Sequence, residues 1–217
     1  MEWNLPGSTV WTFNPFYHKE IQPEQIRWFA AVDEVKPVKN KTHLLITASG
    51  GCVCLIRISD QKIVFCGYAG GNTHSAEILS DGNIVTASST GNYLRLFRLR
   101  YESPDQAVQI STQDYYAENA HGVVWDRKRN CLWSSGQLGI YRWYYHAGSD
   151  PSESFLEAEC CVNTGRDGAD FCGHDLYPVF GEDALYLSGN QLLKFYPASM
   201  TYEEVLPGFT AVKSISR

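Results

Sequence analysis

The chain has 217 residues, enough for one large all-β domain or two small ones. Its 24 acidic and 18 basic side chains leave a net charge of −6, which excludes the basic surface expected of a nucleic-acid binder. No stretch approaches the ~20 apolar residues of a membrane helix, so the sequence points to neither nucleic acid nor a bilayer as partner.

In chain order, Met1-Glu-Trp-Asn-Leu-Pro6 lacks the basic-then-apolar pattern of a secretion signal. That predicts a cytoplasmic setting and reduced thiols, although seven cysteines is an odd count. Ser8–Phe13 reads as a strand. Glu20–Phe29 is the one candidate helix, short and interrupted by Pro23.

Four units of four short strands follow. The first is predicted at Glu34–Val38, Leu44–Ala48, Cys52–Arg57 and Ile63–Tyr68. The second runs Ser75–Leu79, Ile84–Ala87, Tyr93–Arg98 and Val108–Ile110. The third runs Gly122–Trp125, Cys131–Ser134, Ile140–Tyr144 and Phe155–Val162, with Ala147–Ser154 as a surface loop. The fourth runs Asp175–Val179, Ala184–Leu187, Leu192–Tyr196 and Tyr202–Leu206. Turns between second and third strands look alike, for example Ser49-Gly-Gly51, Ser135-Gly-Gln137 and Ser188-Gly-Asn190. Glycine there supplies the positive φ of a tight hairpin, and Ser or Asn bonds the local backbone.

The units carry a common frame. His74, His121 and His174 head three look-alike segments. Asp33 takes the same place in the unit before, and Thr210 in a segment after. The separations are 41, 47, 53 and 36 residues. A repeat of that period, four strands long, selects an all-β propeller of four-stranded blades. Four complete blades and the start of a fifth, at Lys213-Ser-Ile-Ser-Arg217, leave open sheet edges. We therefore expect one propeller domain over residues 1–217 that is part of a longer ring, with Ser8–Phe13 as the outer strand of a last blade.

The order of Val10-Trp-Thr-Phe13, Asp33-Glu-Val-Lys-Pro-Val38, His74-Ser-Ala-Glu-Ile-Leu79, His121-Gly-Val-Val-Trp-Asp126 and Gly173-His-Asp-Leu176 resembles an uncharacterised family of bacterial six-bladed, WD40-like propellers, often secreted by gut bacteria. The resemblance spans essentially the whole chain. It implies six blades and no settled activity, and it stands against the missing secretion signal.

An inner strand lines the central channel, so residues heading inner strands should meet at one mouth. His74, His121 and His174, with Asp33, Lys36, Asp175 and Lys213, are the candidate ligand-binding set for a small ligand, glycan or protein. Alternatively the three imidazoles could hold one divalent transition metal with an open position, as in catalytic zinc sites. Tyr177 or Glu77 would then move protons in a hydrolase or polysaccharide lyase. A third reading is that the frame residues only bond the loop of the neighbouring blade. His18, His43 and His146 lie outside the frame and are expected at the surface or in loops. Trp125, Trp133 and Trp143 are expected to pack between blades.

Overall fold

The computed structural model describes residues 2–5, 8–165 and 170–214. A hairpin of β1 (Glu2–Leu5) and β2 (Ser8–Thr12) opens the chain, followed by 3-10 turns at Pro15–Tyr17 and Pro23–Phe29. Blade I is β3 (Val32–Val38), β4 (His43–Ala48), β5 (Cys52–Arg57) and β6 (Ile63–Tyr68). Blade II is β7 (Thr73–Ile78), β8 (Ile84–Ser88), β9 (Tyr93–Ser103) and β10 (Gln106–Tyr116). Blade III is β11 (Val123–Asp126), β12 (Cys131–Ser135), β13 (Gly139–His146) and β14 (Phe155–Asn163). Blade IV is β15 (Asp175–Pro178), β16 (Leu185–Ser188), β17 (Leu192–Tyr196) and β18 (Thr201–Glu204). Each blade is a simple antiparallel meander, and together the described strands form a four-bladed β-propeller arrangement.

The core lies between blades. Leu45, Leu55 and Phe65 of blade I pack with Ala76, Ile84 and Phe97 of blade II. Trp143 and Tyr145 of blade III join Val85, Leu94 and Leu96 of blade II, with Trp125 against Tyr145. Trp133 is fully buried against Phe195 of blade IV. The tryptophans therefore pack between blades, as the sequence suggested.

Several expectations need correction. Pro23 starts a 3-10 helix rather than interrupting an α-helix, because the first turn needs no proline N–H. The outer hairpin of blade II is far longer than predicted: β9 and β10 have 11 residues each. Its polar, mostly exposed outer strand hid it from a hydrophobicity pattern. Ala147–Ser154 is the expected surface loop, anchored at its end by Ser154, which is fully buried and bonded to Asp81 at 2.9 Å. His43 is a buried strand residue beside Thr42, not a surface one. No fifth inner strand is present among the described residues up to 214; the Val212 N–H instead bonds the Gly189 carbonyl at 2.9 Å. The remainder of that predicted strand, residues 215–217, lies outside the described residues.

Ser8–Phe13 pairs with β1 in a two-stranded sheet. Phe13 and Ile21 pack on the Ile46, Cys52, Cys54 and Ile56 face of blade I. The Trp11 indole donates to the Ile58 carbonyl at 3.1 Å.

Candidate channel-mouth site

One local device aims every residue of the repeated frame. Two positions before each stands a residue in the left-handed region: Ala31 (φ 52°), Asn72 (φ 60°), Asn119 (φ 51°), Cys172 (φ 52°) and, before Thr210, Gly208 (φ 88°). That conformation reverses the chain as it enters the inner strand. Asparagine suits it, whereas alanine and cysteine adopt it at a cost of roughly 1–2 kcal/mol. The entering strand is then stapled to its own blade: the His121 N–H donates to the Ser135 carbonyl at 3.1 Å, and the His174 N–H to the Ser188 carbonyl at 2.7 Å.

The structure brings the three histidines together. The rings of His74 and His121 stack with centroids 4.3 Å apart and planes 19° from parallel. His174 meets His121 edge-on at 4.6 Å. His74 is held at both nitrogens, by Asp33 Oδ1 at 3.0 Å from Nδ1 and Ser89 Oγ at 3.1 Å from Nε2. Nδ1 of His121 donates to the Asn119 carbonyl at 2.8 Å, which leaves Nε2 as an acceptor. Ring nitrogens of His174 make no hydrogen bond to the described residues.

Electrostatics divide the group. Burial, against the bond to Asn119 and with help from the neighbouring imidazoles, pulls His121 down to about 4. Burial and the Lys213 ammonium lower His174 as well. Burial would raise Asp33, but hydrogen bonds from His74 and Ser49 outweigh it and hold the carboxyl below its usual range. Ser49 Oγ donates to Asp33 at 2.6 Å. Around neutral pH the mouth therefore presents neutral imidazoles at His121 and His174 beside one carboxylate.

Deeper in the channel, Lys36 is committed to the scaffold. Its ammonium donates to the Ala76 carbonyl at 2.9 Å and the Val123 carbonyl at 3.0 Å, and pairs with Glu34 at 3.3 Å and Glu77 at 3.5 Å. Burial disfavours the charge, yet the two carboxylates raise its pKa further. Glu77 also accepts from the Trp125 N–H at 3.3 Å. These two candidates thus hold blades I, II and III together rather than offering free groups. Asp175 caps its own strand, accepting from the Leu176 N–H at 2.8 Å. Tyr177 lines the same cavity as the histidines. The Lys213 carbonyl accepts from Ser188 Oγ at 3.2 Å.

The histidines open into a cavity of about 1600 Å³ that also takes in Asp33, Lys36, Tyr177 and Lys213. Among the described residues no group of three or more His, Cys, Asp or Glu side chains is arranged to hold a metal ion. Stacked rings set their nitrogens side by side instead of converging them, and His74 has no free nitrogen. The exposed Cys160 and Cys161 and the half-buried Cys172 are free thiols. Sequence reasoning missed Ser49, Ser89 and Asn72. Their only signal was their place in the Ser-rich turns and in the Asn-x-His step.

The arrangement resembles solved propellers in fold alone. Hydrazine synthase of Kuenenia stuttgartiensis matches 93% of this chain and 52% of its own, with a TM-score of 0.57 and 12% identity. The RRP9 WD40 repeats match over 81% and 51%, at 0.54 and 9%. Virginiamycin B lyase from Staphylococcus aureus matches over 82% and 57%, at 0.54 and 14%. The chain spans about half the length of these proteins. A search of curated sequences gives no significant match. At the level of sequence, residues 6–205 carry the pattern of the family of unknown function DUF6528, and the chain belongs to that family.

Proposed function

We propose that this propeller is a binding protein whose channel mouth holds a small polar ligand, a sugar unit of a glycan being the best fit. The observation that carries this reading is the cluster of three imidazoles from successive blades, packed at 4.3 and 4.6 Å at the edge of a large cavity. Aromatic rings offer an apolar face to a sugar ring, while their nitrogens and Asp33 offer the few placed polar groups that fix orientation. The His174 ring, without a hydrogen bond to the described residues, is the group a ligand hydroxyl would satisfy. In this proposal the four blades belong to a six-bladed bacterial propeller, the count that the resemblance of the sequence motifs implies. Calorimetric titration with neutral and acidic mono- and oligosaccharides tests the reading. Binding weakened at least ~10-fold by His174→Ala, with the melting temperature kept, supports it. No binding across the panel, or equal affinity in the variant, removes it.

A second reading has one observation in its favour. For virginiamycin B lyase, replacement of one histidine by alanine gives a catalytically inactive protein, studied with quinupristin. A metal-assisted hydrolase or lyase on the present chain would use His74, His121 and His174 as ligands of one divalent transition metal, with Tyr177 or Glu77 as proton carriers. It would require the stacked rings to turn. Elemental analysis decides it: about one metal per chain, lost in His121→Ala, is the expected sign, and none after growth in supplemented medium sinks it.

A further inference from the structure

The proposed ligand pocket uses the ring faces of the three imidazoles and leaves the hydrogen bonds at both nitrogens of His74 unexplained. Asp33 Oδ1 lies 3.0 Å from one nitrogen of His74, and Ser89 Oγ lies 3.1 Å from the other. We infer that Asp33, His74 and Ser89 form a nucleophilic relay through which Ser89 takes the acyl group of a small carboxylic ester at the channel mouth.

The bonds fix the polarity of the relay. Asp33 is an acceptor, so Nδ1 of His74 carries the proton and Nε2 presents its lone pair to Ser89 and to the Asn72 amide 3.0 Å away. The other acceptor near the Ser89 hydroxyl, the Asn72 carbonyl, is longer at 3.4 Å. A nucleophile within hydrogen-bond reach of a base, with the base oriented by a third group, is the general signature of an activated hydroxyl. Ser49 braces Asp33 from its far side at 2.6 Å. The stacked ring of His121 fixes the plane of His74. Asn72 Nδ2 donates to Ser89 Oγ at 3.0 Å and lies 3.0 Å from Nε2; in the proposed step it turns from these partners to donate to the ester carbonyl oxygen as that oxygen becomes charged. Ser89 itself is 5% exposed beside the exposed Thr90, which restricts the substrate to small acyl groups.

The step balances without a further reagent. Ser89 Oγ bonds the ester carbonyl carbon as its proton passes to Nε2 of His74. The carbon–oxygen bond to the alcohol then breaks, and that proton leaves with the alcohol. Water, deprotonated by His74, releases the carboxylic acid and restores the serine. The relay lies wholly in blades I and II and shares Asp33 and His74 with the proposed pocket, while Ser89, its nucleophile, has no part in that pocket.

The experiment is labelling of the whole chain with a fluorophosphonate probe, mapped by peptide mass spectrometry, beside hydrolysis of p-nitrophenyl acetate. Expected are a label on Ser89 and hydrolysis that falls at least ~100-fold in Ser89→Ala and in His74→Ala. An unlabelled Ser89 in wild-type protein with a native melting transition overturns the relay, and so does equal turnover in Ser89→Ala. Because the wild-type label is itself decisive, a variant that fails to fold does not spare the idea. Sugar binding by the same wild-type sample is read separately: if it persists while Ser89 stays unlabelled, the relay falls and the pocket reading stands.

Discussion

Burial, more than any partner, decides the state of His121. Its folded value of about 4 lies below the 6.5 of a free imidazole. Between those two values the unfolded chain binds a proton that the folded chain refuses. Stability is therefore full above pH 6.5 and declines as the pH falls toward 4, by up to ~1.4 kcal/mol per pH unit for one proton. His174, lowered in the same direction, adds to the slope. Urea denaturation at several pH values between 7.5 and 4.5 checks this, with a flatter profile expected in His121→Gln. An identical slope in the variant would show that other groups govern acid sensitivity. The histidines were legible in the sequence because they recur in one frame. Ser49, Ser89 and Asn72 were not, since serine and asparagine are ordinary turn residues, and the contacts of Ser49 with Asp33 and of Ser89 with His74 span 16 and 15 residues.

At the scale of the elements, three inner strands are tied by one side chain. Lys36 on β3 reaches carbonyls of β7 and β11, with Glu34 and Glu77 balancing its charge. Lys36→Met would leave two carboxylates in the channel without their cation. Loss of one partner of a buried pair costs about 3–5 kcal/mol, so a fall of that size is expected in the free energy of urea unfolding. An unchanged midpoint would mean that water reaches the carboxylates and replaces the ammonium. Sequence alone ranked Lys36 and Glu77 as ligand or proton-transfer groups, because charged residues facing a channel look available until their partners are known. Strand positions were read well where apolar residues alternate, as in β4 and β5, and badly in the polar outer hairpin of blade II. There cross-strand pairing such as Arg95 with Asp114, at 2.7 Å, replaces burial as the organising force.

Across the whole molecule, stability comes from faces buried between blades, and the N-terminal hairpin serves as such a neighbour for blade I. Phe13 is 5% exposed and covers Cys52 and Cys54, both fully buried. Phe13→Ala should cost about 3–5 kcal/mol. It should also quicken the reaction of those thiols with a disulfide reagent, read by mass spectrometry of the modified peptides. Burial pushes both thiols well up, so in the intact protein they react slowly. Unaltered thiol kinetics in the variant would show that the hairpin does not shield this face. Among the described residues no helix is long and apolar enough to cross a membrane, and the channel offers a ligand a cavity of about 1600 Å³.

The all-β architecture, the four-strand repeat, the blade boundaries and the meeting of three histidines at one mouth were all written in the order of the residues. Those follow from local chemistry: turn residues, strand alternation and a period that recurs along the chain. How the histidines meet follows from the packing of one blade on the next. Ring stacking, the commitment of Lys36 to three strands and the line from Asp33 through His74 to Ser89 depend on side-chain direction between blades, and that direction is set by packing across distances that no spacing along the chain records.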